Sequence, residues 1–148
     1  MTDKEIGQPI IKTVVINATP AKVWAALTKP ELMRQWMSET PLDIITDWKV
    51  GNTITIRGDW YKAGFENKGI VLEIELERLV KYSHLSSLSR LKDKPGNYTV
   101  LEFRLTPKDA QTSLTLTLSN FPTEAIYKHF AFYWSVGLEL LRKFAEQQ

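Results

Sequence analysis

The residues from Thr123 to Glu146 limit what this chain can become more than any other stretch. Ile126, Phe130, Tyr133, Trp134, Gly137, Leu141, Phe144 and Ala145 recur at helical spacing along one side, while Lys128, Ser135, Glu139, Arg142 and Glu146 fall on the other. This predicts one long amphipathic helix. Thr123 is placed to cap its first turn after the break at Pro122, Glu124 suits the positive end of the helix dipole, and Arg142 and Lys143 suit the negative end. Such a helix spans roughly 35 Å, and an aromatic stripe of that length needs a broad apolar surface to lie against. Gly137 is its odd member, because glycine inside a helix costs about 1 kcal/mol relative to alanine. Its presence predicts either a close approach by the sheet or an open space.

The upstream sequence can supply the surface. Ile10, Ile11, Val14, Val15 and Ile16 predict a first strand. Thr19-Pro20 and Lys29-Pro30 then start two short helices in series, with Val23, Trp24 and Leu27 on the buried side of the first and Leu32, Met33, Trp36 and Met37 on that of the second. Alternation begins at Leu42. It places Ile54, Ile56, Gly58 and Trp60 on one strand face, and then Ile70, Leu72, Ile74 and Leu76 after a connection over Lys62 to Asn67. Val80, Tyr82 and His84 share a face of the next strand. Ser86 to Asn97 reads as a long exposed loop. Thr99, Leu101, Phe103 and Leu105 face one way, and Leu114, Leu116 and Leu118 do so after a hairpin turn over Pro107 to Gln111. About six sequential strands joined by short turns imply an antiparallel meander, and the final helix is the element large enough to cover its apolar face.

At 148 residues and 43% hydrophobic content, the chain fits one α+β domain over its whole length. The formal charge of +2 is spread among acids rather than gathered in a block, which gives no case for nucleic acid. With no cysteine, neither a disulfide framework nor thiol chemistry is available, and a cytoplasmic setting is expected. No apolar run predicts membrane insertion. Two histidines 45 positions apart, without a nearby carboxylate set, predict no metal site, and Gly58, Gly64 and Gly69 are too dispersed for a phosphate loop. No cofactor is expected. Arg57, Asp59, Glu66 and Glu73 read as a solvated face.

The segments Ala18-Thr-Pro-Ala-Lys-Val-Trp24, Leu27-Thr-Lys-Pro-Glu-Leu32 with Trp36, Val50-Gly51, Gly69-Ile-Val-Leu-Glu-Ile74, Arg78-Leu79-Val80, Thr112-Ser-Leu-Thr-Leu116 and Tyr133-Trp134 with Leu138 and Leu141 follow in an order that resembles the SRPBCC, or START-like, helix-grip superfamily. Within it they resemble the activator of heat-shock-protein-90 ATPase homologue family. The resemblance implies a curved antiparallel sheet of six to seven strands gripping the C-terminal helix, with a cavity between them that holds an apolar small molecule in many relatives. It also implies correspondence to the second module of the eukaryotic co-chaperones, standing free of their N-terminal domain.

The expected lining of that cavity is Trp36, Ile56, Trp60, Leu72, Tyr82, His84, Leu101, Phe103 and Leu116, together with Phe130, Tyr133, Trp134, Gly137 and Leu141 from the long helix. Tyr82 and His84 are the candidates to orient a ligand through a hydrogen bond. The expected partner is a small apolar or aromatic molecule. Two alternatives stand beside it: a protein-interaction module acting on a heat-shock chaperone, and a cyclase- or hydrolase-like enzyme using the same cavity.

Overall fold

A computed structural model describes residues 7–60 and 63–147. The first strand, β1 (Ile10–Ile16), leads into helices α1 (Pro20–Thr28) and α2 (Pro30–Met37). Strands β2 (Leu42–Thr46), β3 (Thr53–Trp60), β4 (Ala63–Glu75), β5 (Leu79–Ser86), β6 (Thr99–Lys108) and β7 (Gln111–Ser119) follow, and α3 (Glu124–Glu146) closes the chain. The strands form one antiparallel sheet in the order β1-β7-β6-β5-β4-β3-β2, with α3 across its concave face. This is the helix-grip architecture.

Local chemistry starts and stops the helices as the sequence predicts. The Thr19 hydroxyl accepts from the Lys22 amide at 3.3 Å, ahead of proline at the first helical position. The Thr123 hydroxyl accepts from the Ile126 amide at 3.1 Å. The far end of α3 is tied to β1: Arg142 pairs with Glu139 and with Glu146, at 2.8 Å to the latter, whose other oxygen accepts from the Asn17 amide at 2.8 Å. Lys12 donates to the Ser135 hydroxyl at 2.9 Å along the same seam.

Most of the strand faces obey the alternation. Leu101, Phe103, Leu105, Leu114, Leu116 and Leu118 all point into the core, as do Ile54 and Ile56. β4 does not. Its register runs Val71 opposite Tyr82 and then Glu73 opposite Lys81, so two residues face one and Leu72 is the extra. This bulge reverses the inward phase. Val71 is fully buried, Ile74 packs on the core beyond the bulge, and Ile70, Leu72 and Leu76 are exposed. Strict alternation therefore misplaces Leu72, which lies outside any interior lining. β4 is also longer than predicted, since Ala63 to Asn67 belong to it, while Lys62 lies outside the described residues. The hairpin after β6 shrinks to Asp109-Ala110, with Asp109 taking a positive φ of 55°. The loop from 86 to 97 carries two short 3₁₀ turns, Ser87–Ser89 and Pro95–Asn97.

Arg57 and Glu66 pair at 2.9 Å across β3 and β4 with both side chains largely in water, a solvated face as predicted. Among the described residues, no helix is long and apolar enough to cross a membrane.

Candidate functional site

Inward-facing aromatic side chains of the sheet and the helices form a connected set of rings. Tyr82 on β5 stacks on Phe103 of β6 with centroids 6.3 Å apart, and Phe103 meets the edge of Trp134 on α3 at 5.4 Å. Trp134 in turn meets Trp36 of α2 at 6.2 Å and Tyr133 at 5.2 Å. Trp48, just after β2, closes on Tyr82 at 5.8 Å, and the His84 ring meets the edge of Phe130 at 5.2 Å. Each pair lies in the range where offset and edge-to-face geometries are favourable.

The structure thus brings together ten of the residues expected from sequence: Trp36, Tyr82, His84, Leu101, Phe103, Leu116, Phe130, Trp134, Gly137 and Leu141, with Tyr133 half-buried beside them. Ile56 is buried elsewhere, in a smaller cluster with Met33, Leu42 and Ile44 beneath α2. Leu72 faces outward at the bulge, and the Trp60 side chain lies outside the described residues. Trp48 is a member that alternation misses. It follows the end of β2, has a positive φ of 56°, and donates its indole N–H to the Thr28 carbonyl.

These rings stand between the sheet and α3. An open hollow of about 530 Å³ lies at the surface by the β2–β3 turn, bordered by Ile45, Asp47, Gly51 and Asn52. A cleft of about 130 Å³ lies on the outer side of the α2–α3 seam, lined by Met37, Phe132, Tyr133, Val136, Gly137 and Leu140. The Tyr133 hydroxyl ties the seam by donating to the Met37 carbonyl at 3.2 Å. Gly137 borders this cleft, and a Cβ there would stand 3.0 Å from the Trp134 ring.

The polar heads inside this apolar setting are unevenly satisfied. The Trp36 indole donates to the Ala26 carbonyl at 2.8 Å. By contrast, the Trp134 indole nitrogen and the Asn67 side-chain oxygen are buried with no partner among the described residues. Asn67 is a second member the sequence hides, because it sits on the inward phase of β4 before the bulge, opposite Ile56. Burial pushes the Tyr82 phenol far above its usual range, and it raises that of Tyr133. Burial, reinforced by the nearby His129, pushes the His84 imidazole down to about 4.

The His84 shift predicts a pH profile. An imidazole that stays neutral in the fold down to about pH 4, but protonates near 6.5 once unfolded, gives the unfolded chain the extra proton between those values. Its contribution is complete above pH 6.5, falls as pH drops toward 4, and levels below that. The difference in urea midpoint between wild type and His84→Gln, followed from pH 8 to 3.5, should trace that window. A difference that stays flat would show that His84 titrates normally in the fold.

Among the described residues, no group of three His, Cys, Asp or Glu side chains is arranged to hold a metal.

With the fold and interior in place, the likeness to known proteins is specific. The family model described as activator of Hsp90 ATPase homolog 1-like protein matches residues 17–146. No match was found among curated proteins. The solution structure of ChR145 from Cytophaga hutchinsonii is similar over 96% of this chain and 96% of its own, with 35% identity and a TM-score of 0.81. Protein CV1439 from Chromobacterium violaceum shares the fold at 18% identity, with a TM-score of 0.80 over 93% of this chain and 96% of its own. The Aha1 dimer from Colwellia psychrerythraea does so at 24% identity, with a TM-score of 0.72 over 94% and 96%. The match across nearly the whole chain, on a sheet curved around its final helix, means that this protein belongs to the activator of Hsp90 ATPase homolog 1-like family.

Proposed function

We propose that this protein binds a small apolar or aromatic molecule between the concave face of the sheet and α3, with Tyr82 and His84 orienting it, in the cytoplasm. The observation that carries this reading is the set of polar heads left without partners on an apolar floor. The Trp134 indole nitrogen and the Asn67 side-chain oxygen are buried with no partner among the described residues. A buried unsatisfied group costs about 1–3 kcal/mol, and a guest that supplies its partner recovers that cost. The rings are already in contact, so the guest has to part them. The α2–α3 seam, with its cleft and its Tyr133–Met37 tie, is the natural place to open.

Native mass spectrometry of gently purified protein, with displacement of an environment-sensitive dye, tests the reading. Binding of small aromatics that weakens severalfold in Tyr82→Phe is expected. No bound species and no dye uptake across a varied lipid and aromatic panel would remove it. Acid–base catalysis in the same interior has less support. A phenol pushed up and an imidazole pushed down by burial both sit far from neutral pH, where a general acid or base works best.

A second reading is favoured by the outer side of α3. Phe132, Val136 and Leu140 follow at four-residue spacing and are 75%, 47% and 44% exposed, an apolar ridge suited to a protein contact. With the family description, this supports contact with a heat-shock chaperone. Loss of any effect on the chaperone's ATP turnover in Phe132→Ser would support it, and no effect from wild type would remove it.

A further inference from the structure

Three tryptophans sit in or beside the ring cluster, and they differ in one respect. Trp36 and Trp48 give their indole protons to carbonyls at the end of α1, Ala26 and Thr28, and so hold α2 and the strand connection in place. Trp134 is 3% exposed and gives its proton to nothing among the described residues. Its ring is nonetheless fixed, with Trp36 at 6.2 Å, Phe103 at 5.4 Å, Tyr133 at 5.2 Å, and Gly137 leaving room for the benzo edge.

We propose that the Trp134 N–H is the specificity anchor of the interior, and that it selects a neutral guest presenting a hydrogen-bond acceptor, such as an aryl ketone, ester or ether, over a hydrocarbon or a carboxylate. The inference rests on the small-molecule reading above. An indole nitrogen only donates, so its partner has to be an acceptor. A lone water serves poorly, because a buried water needs two to four polar partners. Of the ring neighbours of Trp134, Trp36 has given its proton to Ala26 and Phe103 has no polar atom, while Tyr133 gives its proton to Met37 and keeps only acceptor lone pairs, on an oxygen held at the α2–α3 seam. The anchor is also preorganised, so the bond forms without the cost of ordering a side chain.

Neutrality follows from what surrounds it. Among the described residues the buried polar side chains are Thr28, Ser83, Thr99 and Thr112, none of them cationic, and of the two histidines at the cluster His84 is held neutral by burial down to about pH 4 while His129 lies exposed beside Phe130 and Tyr133. Thr28 and Thr112 give their hydroxyls to the carbonyls of Trp24 and Ala18. A carboxylate drawn into this interior would lose its hydration without meeting a positive charge, a far larger loss than a carbonyl suffers. Lys12, Lys68 and Lys128 are committed at the surface to Ser135, Asp93 and Glu124.

The test compares acetophenone, ethylbenzene and benzoate, which share size and differ in the polar group, on ¹⁵N-labelled full-length protein. Acetophenone is expected to bind at least tenfold more tightly than ethylbenzene, to move the Trp134 indole ¹⁵N–¹H signal downfield, and to slow exchange of that proton. Benzoate is expected to bind more weakly than either. Trp134→Phe should remove the ketone's advantage while leaving ethylbenzene binding in place. If that variant does not fold, the wild-type shift and exchange rate decide the question. Equal binding of ketone and hydrocarbon with an unmoved Trp134 signal overturns the anchor and leaves the receptor reading standing. Tighter binding of benzoate overturns the neutral class. No binding by any of the three overturns the anchor, and failure of the wider panel as well overturns the receptor reading with it.

Discussion

Phe103→Ala is expected to cost about 3–5 kcal/mol of folding free energy, the range for removing a fully buried phenylalanine. Phe103 is 1% exposed and touches Tyr82 on the sheet and Trp134 on the helix, so it is the ring through which the two layers are joined. The loss has two parts: the transfer free energy of the ring, and a void that its ring neighbours Tyr82 and Trp134 fill only by moving off Trp48 and Trp36, the rings behind them. Trp36 is fixed to Ala26 and Trp48 to Thr28, which restricts collapse. At about 2–4 °C per kcal/mol for a chain of this size, the melting temperature should fall by about 10 °C. Phe103→Leu, which keeps most of the volume, should lose much less. A loss below about 1 kcal/mol for the alanine variant in urea unfolding would mean that the sheet and helix are not joined there.

Gly69→Ala is expected to be as damaging although it adds only a methyl group. A Cβ at Gly69 would overlap the Ser83 carbonyl of the neighbouring strand and crowd its hydroxyl, which accepts from the Ile70 amide at 3.0 Å. Overpacking against side chains costs about 1–3 kcal/mol, but here the obstacle is backbone, and relief requires parting β4 from β5. We expect a loss above about 3 kcal/mol, with weakened hydrogen-exchange protection in both strands. Gly51→Ala is a useful contrast, since a Cβ there meets nothing within 4 Å and its cost comes from a φ of 89° alone. If Gly69→Ala unfolds at the same urea concentration as wild type, the close approach of the strands is wrong.

That close approach also explains where the sequence stopped being legible. Helix caps, the two prolines that start α1 and α2, and the inward sets on β3, β6 and β7 are local properties, so spacing and residue type reveal them. The phase of β4 is not local. Ile70, Leu72, Ile74 and Leu76 make a cleaner apolar series than Gly69 and Val71, yet the bulge opposite Tyr82 and Lys81 decides which set turns inward. The glycine at 69, in a strand, was the available signal, because glycine there marks a bulge or a close backbone approach. Asn67 was hidden for the same reason. Trp48 was hidden because it lies just outside β2, where alternation has no authority. The lining residues on α3 were legible from the stripe, whereas the packing of the interior depends on the rotamers of rings brought together from two strands, the connection after β2 and two helices, and no periodicity encodes that.

The seam between β1 and α3 bears on how the chain reaches its fold. Asn17 and Glu146, like Lys12 and Ser135, meet across well over a hundred intervening residues, so this closure is among the most entropically demanding steps and belongs late in folding. During synthesis every strand emerges before the helix that covers them. Leu101, Phe103, Leu114 and Leu116 then form a sticky trough with nothing laid in it, and a half-made chain presents that trough to its neighbours on the polysome. Slowing translation ahead of Thr123 should therefore lower the yield of native protein more than slowing it anywhere earlier, which makes the last helix a point of vulnerability in biogenesis as well as the keystone of the finished molecule.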